Sequence, residues 1–210
     1  MFTVEYSGRL CQELPCNLLR LDCGKSIFLS KNGRDEQINS RGSASAPITM
    51  DVYSDFQCPG CKALYETTLR PLIDNYVDKG KIYLVHHDFP LPMHVFAMQA
   101  ACYARAAHRI GKYDQVADVL FRQQQYWAAS GKVGETACSV LTLGEAKEVQ
   151  ALAKDPTVVA EVQADIQAGV AAHVDGTPTV FLKRGVTQYR IPTGAGYQIL
   201  ARFIDQLLSN

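Results

Sequence analysis

The sequence predicts an α/β fold in two halves, a βαβ half and a ββα half, with a large all-helical insertion between them. Three observations predict it. Short β-prone runs bounded by Gly, Pro and Asn fall at residues 48–56, 81–88 and 179–191. Apolar residues at helical spacing follow the first run and close the chain. The long stretch from His94 to His173 between the halves carries helical spacing throughout. At 210 residues, folding buries roughly 70–75% of the surface of the unfolded chain, so a core forms without help from disulfides.

Taken in order, residues 1–46 read as a loop-rich N-terminal arm and linker. Ser26–Ser30 looks like a short strand and Lys31-Asn32-Gly33-Arg34 like a turn, since Asn-Gly tolerates positive φ. Small and polar residues from Asn39 to Pro47 mark the boundary. The first strand of the fold is then Ile48–Phe56. Leu64, Tyr65, Thr68, Leu69, Leu72, Tyr76 and Val77 give a helix over 62–78, which Pro71 should kink and Gly80 should close. Lys81–Asp88 is the second strand, ended by Pro90 and Pro92.

In the insertion, Phe96, Ala97, Ala100, Ala101 and Ala104 form one apolar face, and Val116, Val119, Leu120 and Phe121 another. Asp155-Pro156 reads as an N-cap with Pro at the first helical position. It opens a helix whose apolar face is Val159, Val162, Ile166 and Val170. Thr179–Leu182 and Val186–Ile191 are the last two strands, joined by a turn at Arg184-Gly185. Tyr197, Leu200, Phe203, Ile204 and Leu207 close the chain with an amphipathic helix. The halves are residues 47–92 and 174–210, and the insertion is 93–173.

Charge balance excludes one class of function. Twenty-one Lys and Arg against 21 Asp and Glu leave no net charge, so bulk electrostatic attraction to nucleic acid is not expected. No run of 18 apolar residues occurs, so no membrane span is expected in this chain. Residues 1–25 lack an apolar signal core. Two readings follow: the chain stays where it is made, or a leading signal or membrane segment is missing from it. Seven cysteines are too few for a disulfide scaffold of this size, and an odd number cannot all pair within the chain.

Chemistry concentrates at Cys58-Pro59-Gly60-Cys61, where a strand ends and a helix begins. A helix N-terminus offers free backbone N–H groups and about half a positive charge. A Cys58 thiolate is favoured there, and a depressed pKa makes the sulfur a better leaving group. Pro59 has no N–H to waste and its φ is preset. Gly60 leaves room for a partner backbone, and Cys61, one turn on, points inward to resolve a mixed disulfide. The bland alternative is half a zinc site. A structural zinc needs a second tight Cys/His pair, and the neighbours His86 and His87 point to opposite faces of a strand. No metal or other cofactor is therefore expected.

Gly176-Thr177-Pro178-Thr179 precedes the third strand. An ordinary trans turn proline is the plain reading there. Three runs together carry more: Tyr53-Ser54-Asp55-Phe56-Gln57-Cys58-Pro59-Gly60-Cys61; His87-Asp88-Phe89-Pro90-Leu91 followed by His94; and Gly176-Thr177-Pro178-Thr179-Val180-Phe181. In this order, over roughly residues 46–208, they resemble the DsbA-like thiol–disulfide oxidoreductases. The resemblance implies a thioredoxin-like fold with a large all-helical insertion between the βαβ and ββα halves.

It also implies roles. Cys58 would be the nucleophile and Cys61 the resolving cysteine. Pro59, Gly60, Thr177 and Pro178 would form the substrate-binding surface, with Thr177–Pro178 a cis bond beside Cys58. The substrates would be protein or peptide thiols, and the location extracytoplasmic, in a periplasm or cell envelope. The recycling partner would be a membrane quinone reductase of the DsbB or vitamin K epoxide reductase type. Oxidant action is expected, with isomerase or reductase action, or a non-catalytic thioredoxin-fold interaction module, as alternatives. The dipeptide Pro59-Gly60 departs from the Pro-His of the strongest oxidants in the family, which limits the expected oxidising strength.

Other residues carry plainer expectations. Cys102 and Cys138 read as inert thiols in helices, and Cys11, Cys16 and Cys23 are spaced too loosely for a zinc knuckle. His94 reads as a surface or capping histidine. Asp51 and Asp55 read as solvent-facing, with a proton acceptor near Cys61 as the alternative for one of them. Tyr126 and Trp127 are expected to close the core between the domains.

Overall fold

The computed structural model describes residues 39–209. Most of the arm lies outside the described residues, including Cys11, Cys16, Cys23, the strand expected at Ser26–Ser30 and the turn after it. Among the described residues the strands are β1 (Ser40–Arg41), β2 (Ile48–Ser54), β3 (Ile82–Asp88), β4 (Thr179–Arg184) and β5 (Thr187–Ile191). They form one sheet in the order β1-β3-β2-β4-β5. β2 and β3 are parallel, with Ile48 opposite Ile82 and Ser54 opposite Asp88. The other pairings are antiparallel. The parallel pair is the βαβ half; β4, β5 and the closing helix are the ββα half. This is the thioredoxin-like arrangement.

Within the segment read as a linker, Ser40 and Arg41 pair with Val85 and Leu84 as an edge strand. Arg41 also bridges Asp78 at 3.0 Å and Asp114 at 3.2 Å. Such short, charged edges discourage further strand addition.

The helix after β2 starts as α1 (Pro59–Leu64), passes through a π-helical turn at Tyr65–Leu69, tightens at α2 (Arg70–Leu72) and widens again at Ile73–Val77. Pro71 explains the alternation. It has no N–H for the i→i−4 ladder and its ring crowds the preceding turn, so the turns on either side of it widen.

The insertion supplies α3 (Ala97–Arg109), α4 (Tyr113–Arg122), α5 (Gln124–Ser130), α6 (Val133–Cys138), α7 (Leu143–Leu152) and α8 (Pro156–Ala171), and α9 (Tyr197–Ser209) closes the chain. Asp155 caps α8 through the Thr157 N–H, with Pro156 at the first position, as expected.

One core lies between the sheet and α9 and is built on Ile48, Met50, Val52, Leu72, Leu182 and Ile204. A second fills the insertion around Trp127, Phe121 and the alanines of α3, and it reaches Phe56, Cys58 and Cys61. The alanines let α3 pack closely against its neighbours. Trp127 is buried as expected, its ring N–H on the Leu120 carbonyl at 2.7 Å. Tyr126 is 52% exposed and closes nothing.

Of the expected α8 face, Val162 is buried and Val159 and Ile166 pack partly buried against the core, but Val170 is not covered. Val158, Val162 and Gly169 face inward, while Val170 is 62% exposed. The reason is a charged residue in the inward row. Asp165 hydrogen-bonds the Asp88 backbone N–H at 2.9 Å and pairs with Arg105, so apolarity alone misplaces the stripe. Gly169 belongs to that row because a Cβ there would meet the Phe89 ring at 2.6 Å.

Candidate active site

β2 ends beneath the helical insertion, and the Asp55–Cys61 turn sits on that end. The Cys58 N–H donates to the Asp55 carbonyl at 3.0 Å. The Cys58 carbonyl accepts from the Cys61 and Lys62 N–H groups at 3.1 and 3.2 Å, which starts the helix. Cys58 itself is extended, with φ −74° and ψ 122°. Pro59 follows in the first turn, where no N–H is needed.

Both sulfurs are thiols here, and their environments differ. Cys58 is pulled down to about 5, chiefly by a hydrogen bond from the Cys61 thiol. Burial opposes this, and the Thr177 side chain and the Cys61 and Gly60 backbone N–H groups assist it. Cys61 goes the other way. Burial pushes its thiol well up, its bond to Cys58 adds to that, and the Asp55 N–H, 3.4 Å from its sulfur, works against it. One sulfur is therefore a thiolate at neutral pH and the other holds its proton.

The loop before β4 faces the same sulfur. Thr177–Pro178 is a cis bond. The Thr177 carbonyl accepts from the Cys58 thiol at 3.4 Å. The buried Thr177 hydroxyl has no hydrogen-bond partner and is one of the groups that favour the Cys58 thiolate. A Cβ on Gly60 would come within 3.2 Å of the Pro178 ring, so glycine is what lets this loop approach. Cys58, Gly60, Thr177 and Pro178 are thus brought together, and Pro59 lies exposed beside them.

The family model described as thioredoxin matches residues 35–194. The chain belongs to the thioredoxin family. Within it the chain is DsbA-like, a thiol–disulfide oxidoreductase. A probable disulfide bond formation protein D of Bacillus anthracis is 28% identical over 152 residues, covering 68% of each chain. Two solved structures share the fold. BdbD from Bacillus subtilis in its oxidised form has a TM-score of 0.67 at 20% identity, over 81% of this chain and 92% of its own. Alpha-DsbA1 of Wolbachia pipientis has 0.68 at 18% identity, over 81% and 90%.

Several side chains of this DsbA-like site escaped the sequence reading. Gln124, on α5, donates to the carbonyls of Phe56 at 2.7 Å and Cys58 at 2.9 Å. Gln57 accepts the Phe96 N–H at 2.8 Å. His94 is no surface histidine: it bonds the buried Asp55 carboxylate at 2.7 Å. Asp51, expected at the surface, is buried, since His87 at 2.8 Å and Lys183 at 2.9 Å neutralise it. No spacing rule announces these contacts, because each partner lies more than 30 residues away in the chain.

His86 and His87 point apart, as the strand requires: His86 stacks on Phe56 and His87 on Tyr53. Among the described residues, no three His, Cys, Asp or Glu side chains gather in a way that could hold a metal ion. Cys102 is buried and its thiol is pushed up to about 11 by burial, opposite to Cys58.

Proposed function

We propose that this chain oxidises protein thiols, with Cys58 as the attacked and attacking sulfur and Cys61 as the resolving one. In the oxidised protein a substrate thiolate attacks the Cys58 sulfur. The Cys58–Cys61 bond breaks and Cys61 leaves with the electron pair. A second substrate thiolate then attacks the substrate sulfur of the mixed disulfide. Cys58 leaves as a thiolate, the substrate gains one disulfide, and the protein ends with two reduced cysteines.

The observation that carries this reading is the split between the two thiols, with Cys58 down at about 5 and Cys61 pushed up. A thiolate stable at neutral pH is a good leaving group, which drives disulfides outward to the substrate. Reported values for such cysteines run from about 7 in thioredoxin to about 3.5 in DsbA, and Cys58 falls between them. Docking falls to Pro59, Gly60, Thr177 and Pro178. The Thr177 carbonyl lies beside the sulfur, and an extended substrate segment would pair with this loop backbone.

Relatives named for disulfide bond formation support an extracytoplasmic place, where disulfides persist. After each turnover the reduced pair needs an electron acceptor, and a membrane quinone-linked reductase suits that need. Among the described residues no helix is long and apolar enough to cross a membrane, so such a partner would be a separate chain or segment.

The test is disulfide transfer from the oxidised protein to a reduced peptide carrying two cysteines. Cys58→Ser should abolish transfer. Cys61→Ser should accumulate mixed disulfides with the peptide through Cys58. Trapping through Cys61 in the Cys58→Ser protein would reverse the assignment.

A further inference from the structure

The loop between β3 and α3 meets the redox turn at one buried carboxylate. Asp55 Oδ1 accepts the Gln57 backbone N–H at 2.7 Å. Its Oδ2 accepts the Leu91 N–H at 2.8 Å and bonds His94 Nδ1 at 2.7 Å. A carboxylate only accepts, so Nδ1 carries the hydrogen. The backbone N–H of the same Asp55 donates to the Cys61 sulfur at 3.4 Å. Side chain and N–H belong to one residue, so whatever fixes the carboxylate also aims the N–H.

We propose that Asp55 and His94 form a positioning pair for Cys61: the imidazole holds the carboxylate, and thereby keeps the Asp55 N–H on the sulfur that leaves as a thiolate. This rests on Cys58 and Cys61 being the redox couple. When a substrate thiolate attacks Cys58, the bond to Cys61 breaks and the electron pair goes to the Cys61 sulfur, which later takes a proton from solvent. In the reverse direction the Cys61 thiolate attacks Cys58 and expels the bound thiol as a thiolate.

Either way Cys61 carries negative charge in a buried place. Cys58, the titratable group facing it, is then tied up in the mixed disulfide. The Asp55 N–H and the Ser54 hydroxyl are the groups that favour the charge. Hydrogen bonds to a charged group are worth more than neutral ones, so a small misplacement of this N–H tells on the rate. His94 has no hydrogen bond to either sulfur and acts through Asp55. Its side chain is 19% exposed, so substitution need not disturb the core.

The experiment mixes the reduced full-length protein with oxidised glutathione. Attack by Cys58 and release of glutathione by Cys61 are read as separate phases across pH. His94→Phe removes the imidazole N–H; His94→Asn supplies an amide N–H at the same branch of the side chain; Asp55→Asn weakens the acceptor.

For His94→Phe, release should slow about tenfold and its pH midpoint rise by about one unit, the two being equivalent below the midpoint. The attack phase should change less than twofold. His94→Asn should keep most of the release rate, and Asp55→Asn should slow it. Equal slowing of both phases, or a slower release with an unmoved midpoint, would mean general loosening and would overturn the pair's role. Unchanged release in every variant would overturn it too. Failure of the redox-couple reading looks different: wild-type protein that releases no glutathione, or Cys61→Ala protein that still does.

Discussion

The Gln124 side-chain nitrogen donates to the Cys58 carbonyl at 2.9 Å, joining the helical insertion to the first residue of the Cys58–Cys61 motif. The same nitrogen donates to the Phe56 carbonyl at 2.7 Å. Both hydrogens of one buried amide are thus spent on the backbone of the Asp55–Cys61 turn, one on each side of Gln57. The insertion is in this sense part of the candidate active site, although it contributes neither cysteine of the Cys58–Cys61 pair.

Gln124→Ala should therefore leave the buried Phe56 carbonyl without its donor, while the Cys58 carbonyl keeps the Cys61 and Lys62 N–H groups. A buried polar group left unsatisfied costs about 1–3 kcal/mol, so denaturant melts should show a loss in that range. Disulfide transfer should slow as well. Gln124→Glu should do no better, because an ionised carboxylate offers no N–H. A stability change below about 0.5 kcal/mol, the size of an ordinary surface substitution, would contradict the clamp.

The Cys58 thiolate gives a second prediction. Thiolate absorbance of the reduced protein should titrate with a midpoint near 5. The Cys61 thiol is the largest cause of that value, so Cys61→Ala should raise the midpoint. Cys61→Ser should raise it less, since a hydroxyl still donates. A wild-type midpoint near the unperturbed value of about 8.5 would remove the basis for Cys58 as the leaving group.

How much of this was legible in the sequence follows from the range of each interaction. The strand–Cys58–helix junction is local, so its position and polarity could be read from residues 48–77, as could the Asp155 cap. The Thr177–Pro178 loop could be placed because its motif stands directly before a β-prone run. The α8 stripe missed Val158, Asp165 and Gly169 and included the exposed Val170, since Asp165 is inward only by virtue of Arg105 and His87 on other elements. Gln124, His94 and Asp51 were invisible for the same reason. A lone polar residue in a helix or loop looks solvated until the chain that brings its partner is in place. Pro71 reads as a kink in the sequence, and the structure absorbs it by widening the turns on either side.

The buried charge cluster under the sheet gives a third prediction. Arg105 pairs with Asp88 at 2.7 Å and with Asp165, and Asp88 is fully buried. Burial pushes Asp88 up to about 6 even with Arg105 opposing it. Arg105→Met should cost about 3–5 kcal/mol, the usual result of leaving a buried charge without its partner. Without the cation the folded pKa of Asp88 rises further above its unfolded value. The deficit should therefore shrink as pH falls from 8 towards about 6, where the variant's Asp88 already holds a proton and the wild-type one does not, and level off below that. A deficit that stays constant from pH 8 to pH 5 would contradict this account.

The central claim, that the folded protein favours the reduced pair and so passes disulfides on, is tested most directly by the melting temperatures of the two redox forms. The folded Cys58 pKa of about 5 lies below an unfolded value of about 8.5. Its stabilisation of the reduced form is thus fully present above about pH 8.5 and is lost as pH falls towards 5. Each 30 mV of potential corresponds to about 1.4 kcal/mol, and 1 kcal/mol moves the melting point of a chain this size by about 2–4 °C. At pH 7 the reduced protein should melt a few degrees above the oxidised one, and the gap should widen from pH 5 to pH 8.5. An oxidised form that melts higher at pH 7 would contradict the account and make the protein a reductant.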